Sequence, residues 1–73
     1  MNPQPRAQER LLEFSYVEEQ LVEVLGLSPD DANIWIFTRN RLLDGDKPSD
    51  RIHVGNYRSV LALIDAIADG IVV

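Results

Sequence analysis

A chain of 73 residues without cysteine has room for one small domain, and it lacks a disulfide framework, a thiol nucleophile and a cysteine-ligated zinc to brace it. Lys and Arg number 7 against 12 Asp and Glu, a net charge of -5, which argues against a free-standing nucleic-acid binder, because phosphate neutralisation needs clustered cations. Hydrophobic residues make up 45% of the chain, enough to expect a folded core.

No apolar run approaches the roughly 20 residues that cross a bilayer, and residues 1–9 hold no apolar segment of a signal peptide, so a cytoplasmic protein is expected, with no membrane partner. The opening Met1-Asn2-Pro3-Gln4-Pro5 is hostile to helix, since each proline lacks an N–H and biases its predecessor towards extended geometry. Residues 1–6 read as a mobile leader, with the domain proper over 7–73.

From Ala7 to Leu25 the sequence is free of Gly and Pro, and Leu11, Phe14, Val17, Leu21 and Leu25 recur at helical spacing, so a first helix is predicted there, closed by Gly26. Ser28-Pro29-Asp30-Asp31 is the sharpest start signal in the chain. It sets an N-cap acceptor, a proline at the first helical position and carboxylates in the positive first turn. The second helix carries Ala32, Ile34, Trp35 and Phe37 and is expected to stop near Asn40, with its aromatic and aliphatic side chains in the core. Asp44-Gly45 breaks the chain. Pro48 opens a short third helix through Ile52 and Val54, ended by Gly55, and Asn56 is placed to cap a fourth helix, Tyr57 to Asp69, ended by Gly70. That last segment is strongly amphipathic: Tyr57, Val60, Leu61, Leu63, Ile64, Ile67 and Ala68 fall in one arc, and Arg58, Ala62, Asp65 and Asp69 form the opposite column. The fold class is therefore all-α, a single small domain of about four helices.

Catalysis finds little support. His53 is the one histidine, flanked by apolar neighbours, and neither a phosphate-binding glycine loop nor a nucleophile-base-acid set is present. Asp44, Asp46 and Asp50 lack the remaining ligand positions of a calcium loop, so neither metal nor cofactor is expected. What a plain folded domain does not require lies at the C-terminal end. Asp65 and Asp69 stand four residues apart near the negative end of a helix dipole, beside the chain's terminal carboxylate. A partner's Arg or Lys would relieve that arrangement, and a solvated acidic face would screen it. Ile71-Val72-Val73, apolar and β-branched, either folds back on the core or extends into a groove of another protein. On the first helix, Leu12 and Tyr16 lie off the main apolar stripe, as in a helix contacted on two sides, which makes them candidate contacts of a homo-oligomer.

The order Asp31 to Phe37 with Trp35, Asn40 to Leu43, Gly45 to Pro48, Gly55-Asn56-Tyr57 and Val60 to Gly70 resembles the C-terminal toxin-binding domain of MbcA/ParS/Xre-type antitoxins, the MbcA branch most of all. The resemblance runs over residues 8–73. It implies a non-enzymatic antitoxin whose partner is a RES-domain toxin that degrades NAD, with the closing helix and tail covering the toxin's active-site cleft. Carried over by position, it implies toxin contacts for Arg58, Asp65, Asp69, Gly70, Ile71, Val72 and Val73. An acidic helix end suits such a cleft, because a site for dinucleotide phosphates is electropositive. Members of the family usually carry a helix-turn-helix ahead of this domain; few residues precede the first helix here, so promoter binding is not carried over. The alternative is a small helical interaction or oligomerisation module of a regulator that blocks no toxin.

Overall fold

The computed structural model describes residues 5–70, with side chains from residue 7, and all regular structure among them is helical. The elements are α1 (Pro5–Leu25), α2 (Pro29–Ile36), one 3-10 turn (Arg41–Leu43), α3 (Pro48–His53) and α4 (Tyr57–Ala68). Helix α1 starts at Pro5, two residues before the expected Ala7, because a proline at the first helical position gives up an N–H that has no helical partner anyway. Residues 1–4 of the expected leader lie outside the described residues.

Helix α2 begins as its sequence demands. Ser28 is extended, and its Oγ accepts the Asp31 N–H at 3.1 Å. The helix ends at Ile36, however, well short of Asn40. Thr38 Oγ1 donates to the Ile34 carbonyl at 2.6 Å and so competes with the backbone for the last turn. Asn40 serves the next element instead: its Oδ1 accepts the Leu42 N–H at 2.9 Å and opens the 3-10 turn. Asp44 and Gly45 then take left-handed backbone in succession, at φ 57° and 85°.

Helix α3 closes on Gly55 at φ 86°, whose N–H donates to the Ile52 carbonyl while the Asn56 N–H donates to that of Arg51 at 2.8 Å. Asn56 is committed to this closure at φ -109° and ψ 48°, so its side chain makes no capping bond to α4, contrary to expectation. Ser59 Oγ donates to the Asn56 carbonyl at 2.8 Å.

The core gathers Val17 and Leu21 of α1, Ala32 and Ile36 of α2, Leu43, Ile52 of α3, and Val60, Leu63 and Ile64 of α4. Ile34 and Phe37, expected inside, are 62% and 52% exposed. At about 100° per residue they point away from the Ala32 and Ile36 side of so short a helix. Trp35 is partly buried against the core, and Phe37 stacks on Phe14 of α1 with ring centroids 5.9 Å apart. Leu11 also leaves the expected stripe, since α1 overhangs the core at its N-terminal end and residues 7–9, 11 and 12 are all exposed.

The direction of α4 follows from the same pattern. A side chain on Gly55 would come within 2.9 Å of Arg10 Nη2, and Tyr57 shares a groove with Leu12, Glu13 and Tyr16, so α4 starts level with residues 10–16 of α1. Val17 and Leu21 are completely buried and the overhang is not, so α4 runs in the same sense as α1, along its C-terminal half.

Arg51 ties these pieces together. Its Nε donates to Asp46 Oδ2 at 2.9 Å, its Nη2 to the Leu43 carbonyl at 2.9 Å and its Nη1 to Ser59 Oγ at 3.4 Å. One guanidinium therefore joins the 3-10 turn, α3 and the first turn of α4. Replacing Arg51 with Ala is expected to lower stability by about 1.5 to 3 kcal/mol, the range for bonds to a charged group, read as a lower urea midpoint at unchanged slope.

Candidate protein-binding surface

The inward side of α4 is spent on the core, which turns Arg58, Ala62, Asp65 and Asp69 outward, all of them exposed as their spacing predicts. The structure unites only part of the set. Asp65 and Asp69 are neighbours one turn apart, whereas Arg58 lies roughly 10 Å up the same column from Asp65, seven residues away at about 1.5 Å each. Asp69 closes the helix through its N–H to the Asp65 carbonyl at 2.9 Å, and Gly70 turns the chain away at φ 73°. Among the described residues, a side chain at Gly70 would meet nothing within 4 Å. Ile71, Val72 and Val73 lie outside the described residues.

The parallel course of α1 and α4 gives this end its electrostatics. Neither helix has a basic residue in its last turn, so neither negative dipole end has a cation of its own helix beside it. Glu23 is exposed in the last turns of α1, and Asp30 and Asp31 are exposed at the start of α2, which follows α1 after a three-residue link, Gly26 to Ser28. The acids predicted from α4 alone thus belong to a broader acidic pole that also draws on α1 and α2. Sequence reading placed Asp30 and Asp31 in the positive first turn of α2, and the direction of α4 gives them a second setting.

A second surface lies at the other end of α1. Leu12 and Tyr16, singled out by their offset from the stripe, are exposed and form a shallow groove with Glu13 and Tyr57. Leu11 and Gln8 extend it towards the helix start. Tyr57, in the apolar arc of α4 as expected, packs half-buried against the core and also walls the groove. The remaining candidates have structural work. Asp46 accepts from Arg51, and Asp50 Oδ2 accepts the Lys47 N–H at 3.1 Å, so two of the three clustered carboxylates are engaged within the fold. His53 is exposed in the last turn of α3, where a cation suits the dipole. No helix among the described residues is long and apolar enough to cross a membrane.

Comparison with known proteins agrees with this geometry. The mycobacterial cidal antitoxin MbcA of Mycobacterium tuberculosis (strain ATCC 25618 / H37Rv) is 49% identical over 71 residues, which is 97% of this chain and 61% of the relative. MbcA of Mycobacterium bovis (strain ATCC BAA-935 / AF2122/97) gives the same figures. The chain is thus similar to MbcA over nearly its whole length. The crystal structure of the M. tuberculosis MbcT-MbcA toxin-antitoxin complex superimposes on all of this chain and 64% of the matched one, with a TM-score of 0.83 at 48% identity. No family model matches the chain. The chain spans 61% of the length of the MbcA sequences it matches, so the likeness concerns the helical domain described above.

The acidic pole is unfavourable for the isolated protein. Exchanging Asp65 and Asp69 for Lys leaves the pair like-charged but sets cations at the negative helix terminus of a chain of net charge -5, so the double variant is expected to melt at the same temperature or slightly higher. The gain is a few tenths of a kcal/mol at low salt, fading as ionic strength rises. Thermal melts followed by circular dichroism at two salt concentrations check this.

Proposed function

We propose that this protein is an antitoxin that acts by binding a protein toxin in the cytoplasm, without catalysis of its own. The toxin is of the RES-domain class that degrades NAD, and the C-terminal end of α4 with the tail Gly70 to Val73 covers its active-site cleft. The observation that carries the reading is the exposed Asp65-Asp69 pair at an uncompensated helix terminus, on a chain 49% identical to an antitoxin. A cleft shaped for the phosphates of a dinucleotide is electropositive, and an acidic helix end presents it with charge of the sign of its substrate. Ala62 and Ala66 beside the acids keep the surface low, so a partner's backbone can approach. Arg58, farther up the column, fits the rim of the contact, where charge sets the rate of association more than the affinity.

The direct test is co-expression with an NAD-degrading toxin, followed by co-purification and measurement of cellular NAD. Protection of NAD together with a stable complex is the expected result. Deletion of residues 70–73, or Asp65→Lys with Asp69→Lys, is expected to weaken the complex by about 2 kcal/mol or more, over tenfold in Kd, while far-ultraviolet circular dichroism stays unchanged. Full protection by both variants would sink the cleft-covering mechanism.

The alternative reading, a helical assembly module without toxin blocking, draws on the exposure of Leu12 and Tyr16. The same experiment separates the two, because an assembly module leaves NAD unprotected at any level of expression.

A further inference from the structure

We infer that Asp69, at the C-terminal end of α4, is a site of spontaneous isomerisation to isoaspartate. The chain has two Asp-Gly steps, Asp44-Gly45 and Asp69-Gly70, and no Asn precedes a Gly. Glycine matters because it carries no side chain to shield its nitrogen. The Gly70 nitrogen attacks Cγ of the protonated Asp69 carboxyl: the N–Cγ bond forms, the Cγ–O bond breaks, and the hydroxyl leaves with the amide proton as water. Water then adds back to the five-membered imide. Cleavage at Cγ restores Asp69, whereas cleavage at the backbone carbonyl leaves a main chain routed through Cβ and Cγ. Neither oxidant, reductant nor cofactor takes part.

The backbone around them separates the two steps. Closing the imide rotates ψ of the aspartate until the glycine nitrogen eclipses Cβ, so hydrogen bonds spanning that torsion must open first. Around Asp44 the Gly45 N–H donates to the Asn40 carbonyl at 3.0 Å, the Asp46 N–H to that of Leu43 at 3.0 Å and the Asn40 N–H to that of Asp46 at 3.1 Å. Arg39 Nη1 reaches the Gly45 carbonyl at 3.2 Å, and Arg51 holds both the Leu43 carbonyl and the Asp46 carboxylate. Rotation there would undo the support of α4. At Asp69, ψ is -4°, and among the described residues the rotation breaks one bond, from the Gly70 N–H to the Ile67 carbonyl at 3.1 Å. That bond lies at the end of a helix, where opening costs least, and Asp69 is exposed to the water that hydrolyses the imide.

Isomerisation leaves mass and charge unchanged. It lengthens the main chain by one carbon and hangs the carboxylate on Cα, so Gly70 loses its register with Ile67 and the chain leaves α4 in a new direction. Loss of fit to a toxin is then a consequence that rests on the proposed binding end; the chemistry itself does not.

The test ages the full chain, without any partner, at neutral pH and mild warmth. After trypsin digestion the peptide beginning at Ser59 carries Asp69 and the one beginning at Leu42 carries Asp44, and isoaspartate is located by isoaspartyl methyltransferase labelling with fragment-ion mass spectrometry. Conversion at Asp69 is expected to run about tenfold or more ahead of Asp44. Asp69→Glu, whose ring would have six members and close more slowly, is expected to leave the Ser59 peptide unlabelled at unchanged helicity. In urea, where both backbones are free, the two rates are expected to converge. Equal rates in the folded chain overturn the inference, as does a folded chain in which Asp69 does not convert. A gap that persists undiminished in urea also overturns it, because local sequence and not the fold would then set the difference.

Discussion

Arg51 is the constraint from which the rest of the arrangement follows. Helix α3 has six residues, too few to be stable as an isolated helix, and the 3-10 turn before it has three. Both pack through buried residues, Leu43 in the turn and Pro48 and Ile52 in α3, and polar anchoring adds to that packing. The guanidinium binds the Leu43 carbonyl, the Asp46 carboxylate and the Ser59 hydroxyl, so three short pieces behave as one support. Ile52, one residue on, is completely buried among the helices, which couples the polar anchor directly to the apolar core.

With its start held there, α4 is free to spend its apolar side against α1, and its outward column is fixed as a consequence. The acidic pole is thus a product of direction as much as composition. Reversing α4 would move Asp65 and Asp69 towards the overhang and separate them from Glu23, Asp30 and Asp31. Local energetics and proposed function pull in opposite directions at this pole: the stability of the free domain favours cations at the helix ends, and a basic cleft favours the acids that are there. A small domain with little stability in reserve tolerates this because the acids are exposed and screened.

Much of this was legible in the sequence wherever one residue type has one local use. Ser28-Pro29 opens α2, Gly55 and Gly70 close α3 and α4, and the outward column of α4 follows from its spacing. The errors fall where a residue had two local uses. Asn40 was read as the end of one helix and is the cap of the next turn; Asn56 was read as a cap and closes the helix before it. Each choice depends on backbone angles set by neighbours, which composition does not encode. Ile34, Phe37 and Leu11 were over-assigned to the core because apolar character was counted ahead of helical angle and ahead of the extent of the helices facing them. The wider acidic pole was out of reach, since the relative sense of α1 and α4 is a tertiary fact.

That parallel pairing also sets an order of events. The buried residues of α1 have their partners in α4, some 40 residues later in the chain, so the central contact is among the most non-local the domain makes. During synthesis α1 emerges with Val17 and Leu21 uncovered; α2 and α3 cover part of it, and α4 completes the burial. The proposed binding end is made in the same final stretch. A chain interrupted before α4 lacks Val60, Leu63 and Ile64 of its core together with the proposed contact surface, so one final stretch of the polypeptide completes both.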